Sequence, residues 1–137
     1  MPKITLLSVA LCAFVLSAVI PFMEISNSHL FNPEWPSHAR LHEAWQLIAN
    51  AAISILAFIL VWKRIAPRLG IVLGLILSAS FLTAWAAGPL YGGSMVHSDG
   101  TNFTIGGISV VVVGVTIIAG LLLLGWRALS QNGGVSK

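Results

Sequence analysis

The sequence predicts an all-α, membrane-embedded bundle of four helices. Hydrophobic residues make up 57% of the 137 residues and charged residues only 8%, whereas about 25% of an ordinary soluble domain is charged. Four apolar segments, at residues 4–23, 38–62, 69–87 and 105–127, are each close to the ~20 residues that a helix needs to cross ~30 Å of hydrocarbon. Because lipid cannot hydrogen-bond a free backbone, segments of this length without strand-like alternation are expected to be helices.

The first apolar segment follows Lys3, as the apolar part of a secretion signal would. No small-x-small cleavage site closes it, and the residue before Cys12 is Leu11, where a lipoprotein site requires a small side chain. We therefore expect a retained first helix. Cys12 is the only cysteine in the sequence, which excludes a disulfide within the chain, and it is expected to be a buried thiol.

The positions of the basic residues predict the orientation in the membrane. Lys and Arg accumulate in short cytoplasmic segments, and six of the seven fall at the two ends of the chain or between the second and third helices: Lys3, Lys63, Arg64, Arg68, Arg127 and Lys137. Both termini of a single transmembrane domain, residues 1–137, should then be cytoplasmic, with loops 24–37 and 88–104 facing outward across an inner or plasma membrane. The basic residues are scattered, so no nucleic-acid partner is expected.

The acidic residues and histidines show the opposite distribution. All of them belong to the two outward loops or to the adjacent helix ends: Glu24, Glu34, Glu43, Asp99, His29, His38, His42 and His97. The positive-inside rule concerns Lys and Arg and does not account for histidines. This concentration predicts a site of histidines and carboxylates at the outer face.

Two proline pairs precede the second helix. Asn32–Pro33 and Trp35–Pro36 predict a stiff, extended connection, because proline fixes φ and keeps the preceding residue out of the helical region. Ser37 is then expected to be the N-cap of the second helix. A rotation of about 100° per residue places one set of side chains on a common arc that we expect to face the bundle interior, with Arg40 outside it: His38, His42, Trp45 and Gln46.

His38 and His42 stand at i and i+4, a spacing that can hold one metal ion or two sides of one substrate. Glu43 directly follows His42, so the sequence is not the H-E-x-x-H motif of metalloproteases. We expect His42, His38, Glu43 and Asp99 to be catalytic, with His42 the most important because it lies one turn deeper than His38. The alternative is that both histidines are interfacial residues that hydrogen-bond loop carbonyls and water.

The second outward loop is rich in glycine and small polar residues, which fits a segment that folds back over the bundle mouth. His97 and Asp99 are then expected to meet His38 and His42. Three histidines, His38, His42 and His97, would be the ligands of a divalent metal ion, and Trp45, Gln46 and His97 would contact a bound ligand or cofactor. The alternative is a mobile connection in which Asp99–Gly100 forms a turn.

Small residues recur at helical spacing on the later helices. Gly70, Gly74 and Ser78 form a small-xxx-small row on the third helix, and a less regular row runs from Gly106 or Gly107 to Gly114 on the fourth. Such rows let helices approach closely in a membrane. We expect both rows to serve packing.

The segment His29-x-x-Asn-Pro-x-Trp-Pro-x-His38-Ala-x-x-His42 resembles one found in small four-helix membrane proteins that are loosely DoxX-like. The resemblance covers this loop and the four-span layout, which is roughly the first half of the chain. It implies a four-helix membrane fold. It implies no activity, substrate or cofactor.

Two functions fit these observations. The first is an acid–base or metal-dependent enzyme that acts on a lipophilic small molecule at the outer face, with histidines that titrate near neutrality as ligands or proton carriers. The second is a non-catalytic accessory or ligand-binding subunit, holding a quinone-like or haem-like molecule, within a homo-oligomer or a larger membrane complex. Membrane lipids are expected partners in either case. Proton or ion conduction is not favoured, because the third and fourth helices carry no ionisable residue at mid-membrane.

Overall fold

The computed structural model describes residues 1–98 and 100–133; Asp99 and residues 134–137 lie outside the described residues. The regular secondary structure of the described residues is helical apart from one short hairpin. It contains helical segments long and apolar enough to cross a membrane, at Lys3–Glu24, Ser37–Trp62, Pro67–Leu90 and Val110–Gln131. The prediction of an all-α fold with four apolar spans is confirmed at this level.

The first span consists of three consecutive helical pieces: α1 (Lys3–Phe14), a π-helical turn (Val15–Val19) and α2 (Ile20–Glu24). Each hydrogen bond of a π turn spans one residue more than an α-helical bond, and such turns are frequent at functional sites. Pro21 directly follows the π turn, where the helical hydrogen-bond pattern already changes. Proline lacks a backbone N–H, and the residues before it keep helical dihedral angles, so the span continues through it.

The second span is α3 (Ser37–Trp62). Its N-cap is Pro36, and no side chain caps it. The predicted Ser37 cap is therefore wrong. The physical reason is that the Pro36 carbonyl already accepts the first helical hydrogen bond, from the Arg40 N–H at 3.2 Å, so that the helix begins one residue earlier than the sequence indicated.

The third span is α4 (Pro67–Ala87), which continues into a short 3₁₀ turn (Gly88–Leu90). A two-stranded antiparallel hairpin, β1 (Thr104–Ile105) and β2 (Ile108–Ser109), precedes α5 (Val110–Gly133). The prediction that the fourth helix begins at residue 105 is therefore wrong.

Backbone geometry explains the late start of α5. The hairpin turn uses Gly106 at φ 58° and Gly107 at φ 83°, the left-handed pair that a tight two-residue hairpin requires. A right-handed helix cannot include two such residues, so α5 starts only after the second strand. The Val110 N–H then donates to the Phe103 carbonyl at 2.8 Å, which fixes the helix to the hairpin.

The spans form a ring in which each packs against two others. Helix α1 packs against α3 and α5, α4 packs against the same two helices, and α1 and α4 also touch across the diagonal. The Thr5 hydroxyl donates to the Gly125 carbonyl at 2.9 Å, so the beginning of α1 lies against the end of α5. The first residues of α1 and the last turns of α5 are therefore at the same end of the bundle.

Small residues make the closest helix contacts. Gly70, Gly74 and Ser78 are buried on α4, and a Cβ added at Gly70 would lie 2.6 Å from the Ala57 carbonyl oxygen of α3. The packing prediction for this row is confirmed.

The row predicted on the fourth helix does not pack. Gly106 and Gly107 are in the hairpin turn, and a Cβ at Gly114 would meet nothing within 4 Å. The close contact of α5 is instead at Gly125, where a Cβ would lie 2.9 Å from the Ser8 hydroxyl oxygen.

The tightest core lies at the end of the bundle that contains the α3–α4 connection. Val9, Val61, Ile71 and Leu122 are at most 1% exposed, and Val61 and Ile71 flank that connection. The end that carries the two longer loops is packed differently, since the helices there surround a cavity. The fold therefore has one solid end and one hollow end.

Candidate functional site

A cavity of about 500 Å³ opens at the loop end of the bundle. All four spans contribute to its wall, and Ser94, Met95, Val96 and His97 of the second loop cover part of it. Its volume is within the ~300–1,000 Å³ range of small-molecule sites. From here on it is called the cavity.

The deep part of the cavity is apolar. Its wall there includes Leu16, Val115 and Ile118, and Cys12 lies at its floor. Cys12 is 1% exposed, in agreement with the predicted buried thiol. The hydroxyls of Ser78 and Ser80, which also line the cavity, donate to the Gly74 and Ile76 carbonyls of their own helix at 2.9 Å and 2.8 Å.

Two carboxylates and two imidazoles line the loop end of the cavity: Glu24, His29, Glu43 and His97. These residues are called the polar cluster below. His29 Nε2 lies 3.1 Å from Glu24 Oε2, and the His29 and His97 rings meet edge to face at 4.5 Å between centroids. Glu43 interacts electrostatically with Glu24 and His29. The cluster is therefore one electrostatic unit.

The first loop holds His29 in place through a series of turns. The Leu30 and Ser26 N–H groups both donate to the Glu24 carbonyl, which folds the chain back over the end of α2. His29 Nδ1 lies 3.0 Å from the Ser28 hydroxyl. The ring is thus held from both sides, because its other nitrogen faces Glu24.

Asn32 stabilises the rest of this loop. It is 2% exposed, its amide donates to the Ser28 carbonyl at 3.4 Å, and its side-chain oxygen accepts the Glu34 N–H at 2.9 Å. Asn side chains commonly form such turns next to proline. The prediction of an extended connection is therefore wrong: the segment is a series of turns held by a buried asparagine.

The second loop folds over the cavity and is tied to the first. The Tyr91 hydroxyl donates to the Ala84 carbonyl of α4 at 2.7 Å, and the His97 N–H donates to the Thr101 carbonyl at 2.9 Å. The Ser98 hydroxyl donates to the Ser28 carbonyl at 3.2 Å. These bonds bring His97 to His29, whereas the sequence predicted that it would meet His38 and His42.

The structure separates the predicted site residues into three groups. Glu43, Gln46 and His97 line the cavity. Asp99 lies outside the described residues. The other three are exposed and do not line the cavity: His38, His42 and Trp45.

The expectation that His38 and His42 face the bundle interior is therefore wrong. Their Nε2 atoms lie 3.0 Å apart on the outside of α3, and the His42 ring contacts Trp45 at 5.9 Å. Arg40, which was expected to point away, is instead half-buried.

Helix geometry gives the reason. Glu43 lies in line with the buried residues of α3, which include Leu47 and Ser54. At about 100° per residue, His42, His38 and Trp45 lie roughly 100°, 140° and 160° round the helix from Glu43. Of the predicted arc, only Gln46, which lies about 60° from Glu43, lines the cavity.

A polar stripe on α3 would have indicated the correct side. Glu43, Gln46 and Asn50 line the cavity at i, i+3 and i+7, and Ser54 continues the stripe as a buried residue. In membrane helices polar side chains usually face the bundle interior. Glu24 and His29 were predicted to lie at the outer face with the other histidines and carboxylates, but nothing in their spacing indicated that the loop turns would pair them.

The predicted metal site is not assembled. In residues 1–98 and 100–133, no group of three or more His, Cys, Asp or Glu side chains is arranged to hold a metal ion. His97 contacts His29, whereas His38 contacts His42 on the outer surface of α3. The three predicted ligands therefore do not form a set.

Comparison with protein-family models, curated proteins and solved structures gives no match for this chain. The resemblance to DoxX-like proteins stays a prediction. The function of the protein is therefore inferred from the geometry of the cavity.

Proposed function

We propose that this protein binds a lipophilic small molecule in the cavity, with the molecule's polar end at the polar cluster and its apolar part toward Cys12. The observation that carries this proposal is the division of one 500 Å³ space into an apolar floor and a loop end with two carboxylates and two imidazoles. Ligand sites are typically apolar with a few convergent polar groups that fix orientation. The cavity has this composition.

We further propose that the polar cluster performs acid–base chemistry on the bound molecule. Glu43 would accept a proton, since its carboxylate has no hydrogen-bond or ion-pair partner in the described part of the chain and faces the cavity. The His29–Glu24 pair would donate and recover a proton, because imidazole titrates near neutrality and a neighbouring carboxylate orients it. This role replaces the one predicted for His38 and His42.

The membrane orientation belongs to the same proposal. The polar cluster lies at the hollow end of the bundle, and five of the basic residues lie at the solid end: Lys3, Lys63, Arg64, Arg68 and Arg127. We infer from the positive-inside rule that the cavity opens at the outer face of an inner or plasma membrane. A green fluorescent protein fused after the last residue should fluoresce, because it would be cytoplasmic. Alkaline phosphatase fused at the same position should be inactive. The reverse pattern would place the cavity at the cytoplasmic face.

Filling the cavity should abolish binding. Ala84 lines it, so Ala84→Phe places a ring inside the site, and we expect saturable binding of radiolabelled dodecanol to fall at least about tenfold, or about 1.4 kcal/mol. Binding is measured on protein in phosphatidylcholine nanodiscs, with empty nanodiscs as background.

The matched control is Ala52→Phe, because Ala52 is an exposed α3 residue that does not line the cavity. This variant should bind dodecanol like the unmodified protein. The proposal fails if the unmodified protein shows no saturable binding above empty nanodiscs, or if the two variants lose binding equally.

A further inference from the structure

The permanent charges on the described wall of the cavity are of one sign. The described residues that line it include the carboxylates of Glu24 and Glu43 but neither Lys nor Arg. Arg40, the one basic residue near this end of the sequence, does not line the cavity. An anionic head group would therefore meet two carboxylates and no permanent cation.

The two carboxylates differ in how they are compensated. The Glu24 carboxylate makes a direct contact with His29 at 3.1 Å. Glu43 is half-buried and makes no hydrogen bond or ion-pair contact with any described residue, and the His29 imidazole acts on it only from beyond contact distance. A charge in partly apolar surroundings is costly unless an opposite charge is close to it. Glu43 is therefore the carboxylate of the polar cluster that a cationic ligand can contact directly.

A neighbour of Glu43 can share the binding of a cationic donor. Gln46 follows it by one turn on the cavity-facing stripe of α3 and carries an amide oxygen that accepts hydrogen bonds. An ammonium group offers three donors and no acceptor, so it can donate to the carboxylate and to this amide. Asn50 lies about 10 Å from Glu43 along the helix axis and lines the cavity deeper along the ligand.

We propose that the cavity is selective for lipophilic amines, whose protonated nitrogen lies at Glu43 and whose apolar chain extends toward Cys12. This inference rests on the proposed binding function and adds the class of ligand. The depth suits a chain-like molecule, since positions 12 and 24 are twelve residues apart along the first span, or roughly 18 Å at 1.5 Å per residue.

Three probes with the same dodecyl chain test the charge preference: dodecylamine, dodecanol and dodecanoate. Equilibrium binding to the full chain is measured at pH 7 in phosphatidylcholine nanodiscs, and binding to empty nanodiscs is subtracted for each probe. We expect dodecylamine to bind at least tenfold more tightly than dodecanol, and dodecanoate to bind most weakly. If no probe binds, the proposed function itself fails. If the probes bind equally, or if dodecanoate binds best, a ligand site exists but the amine inference is overturned.

Substitutions at Glu43 test whether its carboxylate causes the preference for the amine. Glu43→Gln should make dodecylamine and dodecanol bind about equally tightly, whereas Glu43→Asp, which keeps the charge, should retain most of the preference for the amine. The matched control is Glu34→Gln, because Glu34 is an exposed acidic residue that does not line the cavity. The inference is overturned if Glu43→Gln keeps the full amine preference, or if Glu34→Gln removes it as well.

Discussion

Replacing Gly70 by alanine should lower the free energy of unfolding by roughly 1–3 kcal/mol, the usual cost of overpacking a filled contact. The added Cβ would lie 2.6 Å from both the Ala57 carbonyl oxygen and Val61 Cγ2, closer than non-bonded atoms approach. The Ala57 oxygen is backbone and cannot rotate away, so α3 and α4 must separate. Unfolding by SDS titration in mixed micelles measures the change.

Gly114→Ala is the matched control for this prediction. Both glycines lie in helices, but a Cβ at Gly114 would meet nothing within 4 Å. Alanine has the higher helix propensity, so this variant should be as stable as the unmodified protein or slightly more stable. Equal destabilisation by the two substitutions would mean that the α3–α4 contact is looser than described.

His29→Ala should have the second large effect, destabilising the protein by roughly 1–3 kcal/mol because it leaves a partly buried charged group without its partner. The Glu24 and His29 side chains are only 22% and 18% exposed, so water replaces the lost contact poorly. The same change removes the ring contacts with His97 and Trp35. Faster amide hydrogen exchange in residues 25–36 should accompany the loss of stability.

His42→Ala serves as the control, since it removes an imidazole of the same kind from the outer surface of α3. The only described contacts of His42 are with His38 and Trp45, and all three residues are exposed. Stability and loop exchange should both stay close to those of the unmodified protein. A larger effect at His42 than at His29 would restore the importance that the sequence assigned to His42.

The apolar spans and their closest contact were predictable because they depend on local properties. Length and composition are sufficient to identify a membrane span, and the row formed by Gly70, Gly74 and Ser78 marks a close helix contact wherever it occurs. The start of α5 was missed for a local reason as well. The segment 105–109 is apolar enough for a helix, but Gly106 and Gly107 turn it into a hairpin.

The site was less predictable because burial in a membrane helix does not follow hydrophobicity. Lipid is as apolar as a bundle interior, so the apolar residues of α3 do not indicate which side faces inward. The histidines at 38 and 42 formed a conspicuous pair, yet the inward side is marked by the less conspicuous stripe of Glu43, Gln46 and Asn50. His29, Glu24 and His97 come from separate segments, and only the loop hydrogen bonds bring them together.

The π turn at Val15–Val19 separates the length of the first span from the chemistry at its end. A π turn takes up one residue more than an α-helical turn does, so deleting one residue there would leave an ordinary α-helix with the direction of Glu24 little changed. A deletion in the α-helical part of the span would instead rotate everything beyond it by about 100° and turn Glu24 away from His29, although no residue of the polar cluster had been changed. Related chains could therefore differ in length by one residue at this turn and still keep the carboxylate in place.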